Sequence, residues 1–394
     1  MKPALPLDEA QRRLLALAVP LGAQAVAIDE AVGRYLAEPV IARRTQPAAD
    51  LSAMDGYAVS ETQDGQWCVV GESAAGHPYQ APLNPGEAVR ISTGALIPEG
   101  AAGVLLEEEA VREDGLLTAT PDGAPSARHI RRRGFDFREG DSVLSAGARI
   151  DAAQLALAIT AGLGAGSLQV GRRPRVAVID SGDELARAPE AWEDHRLPAS
   201  NGAMIAAMAA PFAESVGRLG PVADRMEALA EALASASGAD VIVTSGGASI
   251  GDHDLIRPAL EAWGAEIDFW RVAIKPGKPL LVARKGATIV LGLPGNPVSS
   301  YVTAFLFLLP LLRHLAGAGE ALPSPVQMPL AQTLPAGGQR LELVRARIAA
   351  GQVGPISEQD SSALRALAVS NAFIQREIDA PRAEIGELVS VYLL

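Results

Sequence analysis

Three short runs, residues 176–179, 241–244 and 288–293, are apolar without alternation, and they constrain this chain more than any other feature. A strand with one wet face alternates polar and apolar side chains; a continuous run belongs to a strand covered on both faces. Between the first two runs, Met226, Leu229, Ala230 and Leu233 recur at helical spacing. Residues 175–320 are therefore predicted to form an α/β unit with a parallel sheet. The chain has 394 residues, too many for one ordinary domain. Residues 1–45 and 146–174 have a helical texture, and the Ala- and Leu-rich stretch 151–163 lies where the chain can return to the first helical unit. Residues 46–145 are rich in Gly and Pro, with short β-type runs at 67–70 and 88–91, and read as an insertion. Residues 321–394 carry short strands such as 341–348 and 388–393 and read as a small β domain.

Charge and metal-ligating residues narrow the chemistry. The 34 basic and 46 acidic side chains give a net charge of −12, which argues against non-specific nucleic-acid binding. A small anion would need a local basic site. The single cysteine, Cys68, excludes an internal disulfide framework, and five scattered histidines do not form a zinc pattern. Any metal is expected on carboxylates, which favours a hard ion such as Mg²⁺. The longest greasy stretch, 304–312, contains Pro310 and is shorter than a membrane span, so it reads as a buried helix. Arg12-Arg13 followed by an apolar stretch imitates a twin-arginine export signal. Asp8 and Glu9 precede the arginines, and Leu7, Ala10, Leu14 and Leu17 repeat at helical spacing, so the expectation is a cytoplasmic amphipathic helix.

In an open parallel sheet, ligands bind beyond the carboxyl ends of the strands. The three runs lead into Asp180-Ser181-Gly182-Asp183-Glu184, into Ser245-Gly246-Gly247-Ala248-Ser249-Ile250-Gly251-Asp252-His253-Asp254, and into Pro294-Gly295-Asn296-Pro297. Turns favour Gly, Ser and Asp for purely structural reasons, so one such loop says little. Three together suggest a cradle in which glycine admits close backbone approach and helix starts offer amides to an anion. Asp183, Glu184, Asp252 and Asp254 add hard oxygen ligands beside it, as a Mg²⁺-phosphate ligand requires. A fourth string, residues 271–279, carries Arg271, Lys275 and Lys278 on a loop stiffened by Pro276 and Pro279. Such lysines serve phosphate as compact point charges. Residues 52–58, 91–95 and the charged run 131–138 remain open between structural and anion-facing readings.

These strings resemble the molybdopterin molybdenumtransferase family (MoeA and the E domain of gephyrin). The carriers are SAMDGYA at 52–58, STGALIPEG at 92–100, GFDFREGD at 134–141, SGDEL at 181–185, SGGASIGDHD at 245–254, KPGKP at 275–279 and GLPGNPVS at 292–299. The resemblance runs from about Leu5 to the C-terminus. It implies an elongated multidomain α/β plus β chain: a helical domain (1–45 and 146–174), an inserted β-rich domain (46–145), a three-layer α/β molybdopterin-binding domain (175–320) and a C-terminal β-barrel (321–394). It further implies insertion of molybdenum into adenylylated molybdopterin with release of AMP, the final step of molybdenum cofactor biosynthesis. Mg²⁺ would be the cofactor and molybdate a substrate. The family's homodimer sets the α/β domain of one subunit against the inserted β domain of the other. Further implied partners are the molybdopterin adenylyltransferase and acceptor molybdoenzymes, with no nucleic acid and no membrane.

Carried over by position, Asp55, Thr93, Asp136, Glu184, Asp254 and Lys275 are the expected catalytic residues. Ser245, Gly246, Gly247, Ser249, Gly251, Arg271, Lys278, Pro294, Gly295 and Asn296 are expected to bind substrate, and Glu184, Asp252 and Asp254 the metal. Departures from the family pattern are Asp180-Ser181 where Ser-Thr is usual, Arg271 for Lys, Phe135 for Glu, Ala223 in a usual Asp pair, and 364–367 in place of a serine-rich stretch. They keep two alternatives in view: a diverged paralogue with poor insertion or a tungstate preference, and a non-catalytic molybdopterin-binding scaffold of the same fold.

Overall fold

A computed structural model describes residues 4–164, 166–187, 194–246 and 255–394. At its centre lies a six-stranded sheet built from β1 (Arg175–Ser181), β2 (Ser215–Val222), β3 (Val241–Ser245), β4 (Glu266–Arg271), β5 (Pro279–Lys285) and β6 (Thr288–Leu293). The spatial order is β2-β1-β3-β6-β5-β4. The first four strands in this order are parallel; β5 runs antiparallel to β6, and β4 antiparallel to β5, so that β5 alone opposes the rest. Burial explains the apolar runs: β3 is buried throughout, and β6 nearly so. One face packs on helices Leu7–Leu17, Asn201–Ala209 and the run 297–315; the other packs on Met226–Ser235 and Ile256–Ala262. The three layers agree with the sequence reading. On Met226–Ser235 the buried side chains are Leu229, Ala232 and Leu233, whereas Ala230 faces out.

Two expectations about helices need correction. Among the described residues of the stretch 1–45, namely 4–45, there is one α-helix, Leu7–Leu17, followed by short strands Ala23–Ala27 and Val40–Ile41. Pro20 and Gly22, at φ 84°, break the helical path, and the next segment pairs with Ser167–Gly171 instead. The helix itself joins the α/β core through Ala10 and Leu14, and Gln11 Nε2 donates to the Leu306 carbonyl at 2.8 Å. Arg12 and Arg13 each reach Glu9 at 2.6 Å. The greasy helix is also longer than expected: Pro297–Leu315 runs 19 residues through Pro310, with a widened turn at Ala304–Leu308 just ahead of it. Its length and composition suit a membrane span, but 83% of it is buried, as in a core helix.

The segment after residue 45 forms a separate six-stranded sheet whose strands include Gly56–Val59, Gln66–Ser73 and Glu87–Ile91. The chain then returns: Ile150, Ala158, Ala161 and Val170 share one core with Ile28, Leu36 and Val40. At the C-terminus, strands Val326–Pro329, Leu341–Ala349, Gln352–Pro355, Ala372–Arg376 and Leu388–Leu393 form a sheet closed on itself by the bridge Leu330–Val353. Ile274–Lys275, in sequence part of the α/β region, adds an edge to this sheet by pairing with Leu341 and Glu342.

Candidate functional site

The parallel register aligns Asp180 with Ser245, and Ser245 with Leu293, so three loops leave the sheet along one edge. β1 has β2 on one side and β3 on the other, which makes the β1–β3 crevice the point where the winding reverses. Close backbone approach draws the loops together. A Cβ on Gly246, at φ 95°, would lie 2.3 Å from the Ser181 carbonyl oxygen, so no other residue fits there without strain. Gly295 sits against Gly246, a Cβ on it lying 3.8 Å from the Gly246 Cα. Asn201, the first residue of the helix after β1, donates through Nδ2 to the Gly295 carbonyl at 2.7 Å.

These contacts enclose a cavity of about 700 Å³ lined by Asp180, Glu184, Ser245, Gly246, Gly295 and Asn296, among others. Pro279 and Ser299 also line a second cavity of about 980 Å³, which holds Lys275, Lys278, Arg340 and Glu342. The acidic loop and the lysine loop thus open on adjoining spaces. Gly277, at φ 109°, presses the lysine loop onto the helix: a Cβ there would meet Thr303 Cγ2 at 2.7 Å. Lys275 Nζ pairs with Glu342 Oε1 at 3.0 Å, and Arg340 Nη1 donates to the Ile274 carbonyl at 3.3 Å. Arg271 precedes this loop at the end of β4, across from Pro279.

Asp180 is the most unusual group in the first cavity. It is 4% exposed, and its Oδ1 has no hydrogen-bond partner among the described residues. Burial pushes its carboxyl up, while Arg218, the Gly202 amide and Arg187 pull it down by less. A Cβ on Gly202 would lie 2.1 Å from Asp180 Oδ2, so this carboxylate sits hard against the start of helix Asn201–Ala209. It occupies the place an external anion would take at that helix terminus. Ser181 Oγ donates to Asp224 Oδ1 at 2.8 Å, and the Asp224 amide donates to Asp183 Oδ1 at 3.1 Å. A carboxylate oxygen without a donor among the described residues, in a cavity that Glu184 also lines, is chemistry that suits a hard cation. No group of three His, Cys, Asp or Glu poised to hold a metal occurs among the described residues.

Three family models cover this architecture: the MoeA N-terminal region (domain I and II) at residues 5–162, the model described as a "probable molybdopterin binding domain" at 177–314, and the MoeA C-terminal region (domain IV) at 327–394. The molybdopterin molybdenumtransferase of Haemophilus influenzae is 34% identical, across 98% of both chains. The chain belongs to the molybdopterin molybdenumtransferase family. A second relative of that name, from Nostoc sp., is 36% identical over 73% of this chain and 68% of its own. Among solved structures, a molybdopterin biosynthesis MoeA protein from Pyrococcus horikoshii superposes with a TM-score of 0.83 at 25% identity, covering 100% of both chains.

The remaining residues expected of a molybdopterin molybdenumtransferase fall elsewhere. Asp55 and Thr93 meet at one end of the inserted sheet, where Gly56 pairs with Ile91, and the Thr93 amide donates to Asp55 Oδ1 at 2.7 Å. Hydrogen bonds from the Thr93 amide and then its hydroxyl hold the Asp55 carboxyl below its usual range. Asp136 is exposed on another loop, its amide bound to the Gln46 carbonyl at 3.0 Å, and no hydrogen bond joins it to Asp55 or Thr93 among the described residues. Phe135 beside it is 76% exposed. Neither Asp55, Thr93 nor Asp136 lines the two cavities. Gly247, Ser249, Gly251, Asp252 and Asp254 lie outside the described residues.

Sequence reasoning missed the contribution of the C-terminal domain. Asn296 Nδ2 donates to Ser361 Oγ at 2.9 Å, and the Val298 amide to the Ser361 carbonyl at 3.0 Å. The loop carrying Ser361 is held by Arg345, which is 1% exposed: Arg345 Nη2 donates to the Glu358 carbonyl at 2.9 Å, and Gln359 Nε2 to the Arg345 carbonyl at 3.0 Å. Ser362 caps Asp360, whose carboxyl its hydroxyl and amide hold low. The Asp360-Ser361-Ser362 turn string was the available signal. Nothing local showed that it would cross to the third loop.

Proposed function

We propose that this chain inserts molybdenum into adenylylated molybdopterin and releases AMP, completing molybdenum cofactor biosynthesis. The observation that carries this reading is the convergence of the β1, β3 and β6 loops on one cavity, with the lysine loop on the adjoining one. Membership of the transferase family supports it.

In this reading the Gly246 turn admits the pterin phosphate close to the backbone, where a bulkier residue would meet Ser181. Lys275 and Lys278 neutralise phosphate or molybdate oxygens. Lys275 is preset by Glu342 and exchanges that exposed ion pair, worth at most about 1 kcal/mol, for the substrate anion. Glu184, with Asp252 and Asp254, would hold Mg²⁺, whose part is to polarise the pyrophosphate. Asn201 and Asn296 keep the third loop in position from two sides. Catalysis is then mainly electrostatic positioning, which suits cleavage of a phosphoanhydride. Asp55, Thr93 and Asp136 complete the site from a second copy in a homodimer, a reading supported by their absence from the cavities of their own chain. The N-terminal helix, with its arginines bound to Glu9 and its apolar face in the core, favours a cytoplasmic protein.

Asp180 favours one second reading, a diverged paralogue that inserts slowly or prefers tungstate, because its buried carboxylate lines the cavity meant for an anion. The test is AMP release from adenylylated molybdopterin, with molybdate and tungstate compared side by side, with and without Mg²⁺. Release that depends on both Mg²⁺ and molybdate is expected; AMP release indifferent to molybdate would overturn the insertion reading.

A further inference from the structure

Away from both cavities, arginines gather where the helical unit meets the α/β domain. Arg34 Nη2 donates to the Gly171 carbonyl, and Arg173 Nη2 to the Gly33 carbonyl, each at 3.1 Å. A Cβ on Gly33 would lie 3.3 Å from Arg173 Nη2 and 3.8 Å from Arg149 Nη2, so two cationic heads face one spot of backbone. Arg149 and Arg313 line a cavity of about 570 Å³ with Tyr35, Phe212 and Glu320. Arg313 lies over the Phe212 ring, 4.8 Å from its centre.

The carboxylates nearby do not balance this charge. Asp151 takes Arg149 at 2.8 Å, and Glu214 takes Arg172 at 3.5 Å. Arg172 is also bound to Asp240 at 3.0 Å. Glu320 lines the cavity without an ion pair among the described residues. Among the described residues Arg34, Arg173 and Arg313 form no ion pair within 4 Å and hydrogen-bond to carbonyl oxygens, which carry no net charge, although Glu214 offsets part of the Arg34 charge from farther away. Burial, and then the charges of Arg34 and Arg149, lower the Arg173 guanidinium from its ordinary value; burial lowers Arg34 and Arg313 likewise. Like charges this close, in a chain with a net charge of −12, are relieved by a bound counter-anion.

We propose that this cavity binds a tetrahedral dianion, either an inorganic oxyanion or the terminal phosphate of a monoester, through Arg149 and Arg313. The guanidinium fork matches two oxygens of such a group at once. The cavity shares no lining residue with those of the candidate site, so this is a separate site. A ligand there would bridge Tyr35 and Arg149 of the helical unit to Phe212 and Arg313 of the α/β domain.

The experiment is calorimetric titration of the full chain at low ionic strength with inorganic phosphate, molybdate and AMP. Wild type, Arg149→Gln, Arg313→Gln and Lys275→Ala are compared. Phosphate binding that survives Lys275→Ala but weakens at least about ten-fold in Arg149→Gln is expected, in line with loss of a charged bidentate contact. Arg149 is half exposed, so its variant keeps the test valid if Arg313→Gln fails to fold. Tighter binding of AMP than of phosphate supports the site with a monoester occupant, and equal or weaker binding supports it with an inorganic one. Equal phosphate affinity in wild type and Arg149→Gln overturns the proposal, as does loss of all binding in Lys275→Ala. A change of oligomeric state in Arg149→Gln with no effect on anion binding also overturns it, since the arginines would then serve a neighbouring copy.

Discussion

The α/β loops and the inserted β sheet both carry family motifs, but they build their polar groups in opposite ways. Around Gly246 the backbone itself is the structure: the Ser181 carbonyl leaves no room for a side chain, and Asn201 and Asn296 hold the adjacent loop. Around Asp55 the geometry is a local hydrogen bond to Thr93 on exposed residues. The described part of the first region is tied together by contacts within one chain. The second presents a preset carboxylate outward, on an exposed loop of the inserted sheet. Tight backbone contacts are thus found where Gly246 meets Ser181 and Gly295, and the outlying sheet carries a smaller, local hydrogen bond.

The largest effect should come from filling the backbone approach. Gly246→Val forces the two loops apart and should lower molybdate insertion on the order of 100-fold, as an ångström of misplacement does; the thermal midpoint should also fall. A variant with wild-type turnover would show that the close approach of loops does not matter. The other half of the contrast is tested by mixing Asp55→Asn and Lys275→Ala proteins, each nearly inactive alone. If the sites are shared across a two-fold dimer, exchange of subunits should restore about one quarter of the wild-type rate, because half of the dimers then carry one intact site. No recovery would place Asp55 and Lys275 in the same chain's site, or Asp55 outside it.

A smaller effect should separate scaffold from site. Asp240 lies ahead of β3, at the end of the strand opposite the cavity, and accepts from Arg172 at 3.0 Å and from the Arg175 amide at 2.7 Å. Burial raises its carboxyl, but these partners outweigh it and the net shift is downward. A folded-state value below the unfolded one stabilises the protein above the ordinary carboxylate range, and this stability is lost as pH falls through the depressed value. Asp240→Asn should therefore cost about 2 kcal/mol near neutral pH, with the difference from wild type shrinking in acid. Denaturant titrations at several pH values check this, and turnover per folded molecule should not change. The smallest effect is expected of Glu342→Gln: stability should move by less than about 1 kcal/mol, while the KM for molybdate should fall as Lys275 is freed. A raised KM would show that Glu342 positions the lysine rather than competing for it.

Much of this was legible in residue order because the underlying physics is local. A continuous apolar run reports a strand covered on both faces, and the runs ending at Ile179, Thr244 and Leu293 lie in neighbouring strands. Glycine after a strand reports a turn, so all three loops are legible in residue order. The short strands after Pro20 are not legible in the sequence, because five-residue segments whose partners lie far along the chain, as Gly171 does from Ala23, leave too little periodicity. Ser361 and Glu342 reach the site from another domain, on a scaffold that buried Arg345 holds, and no local pattern shows which loop a distant turn will touch.

Strand, turn and charge were thus written in the order of residues, since each depends on neighbours within a few positions. The meeting of the Gly246 turn with Ser181, the burial of Asp180 against Gly202, and the gathering of Arg149, Arg173 and Arg313 were decided only by the tertiary structure. Those contacts join segments from different strands and domains, and their energies exist only once the cores between them have packed.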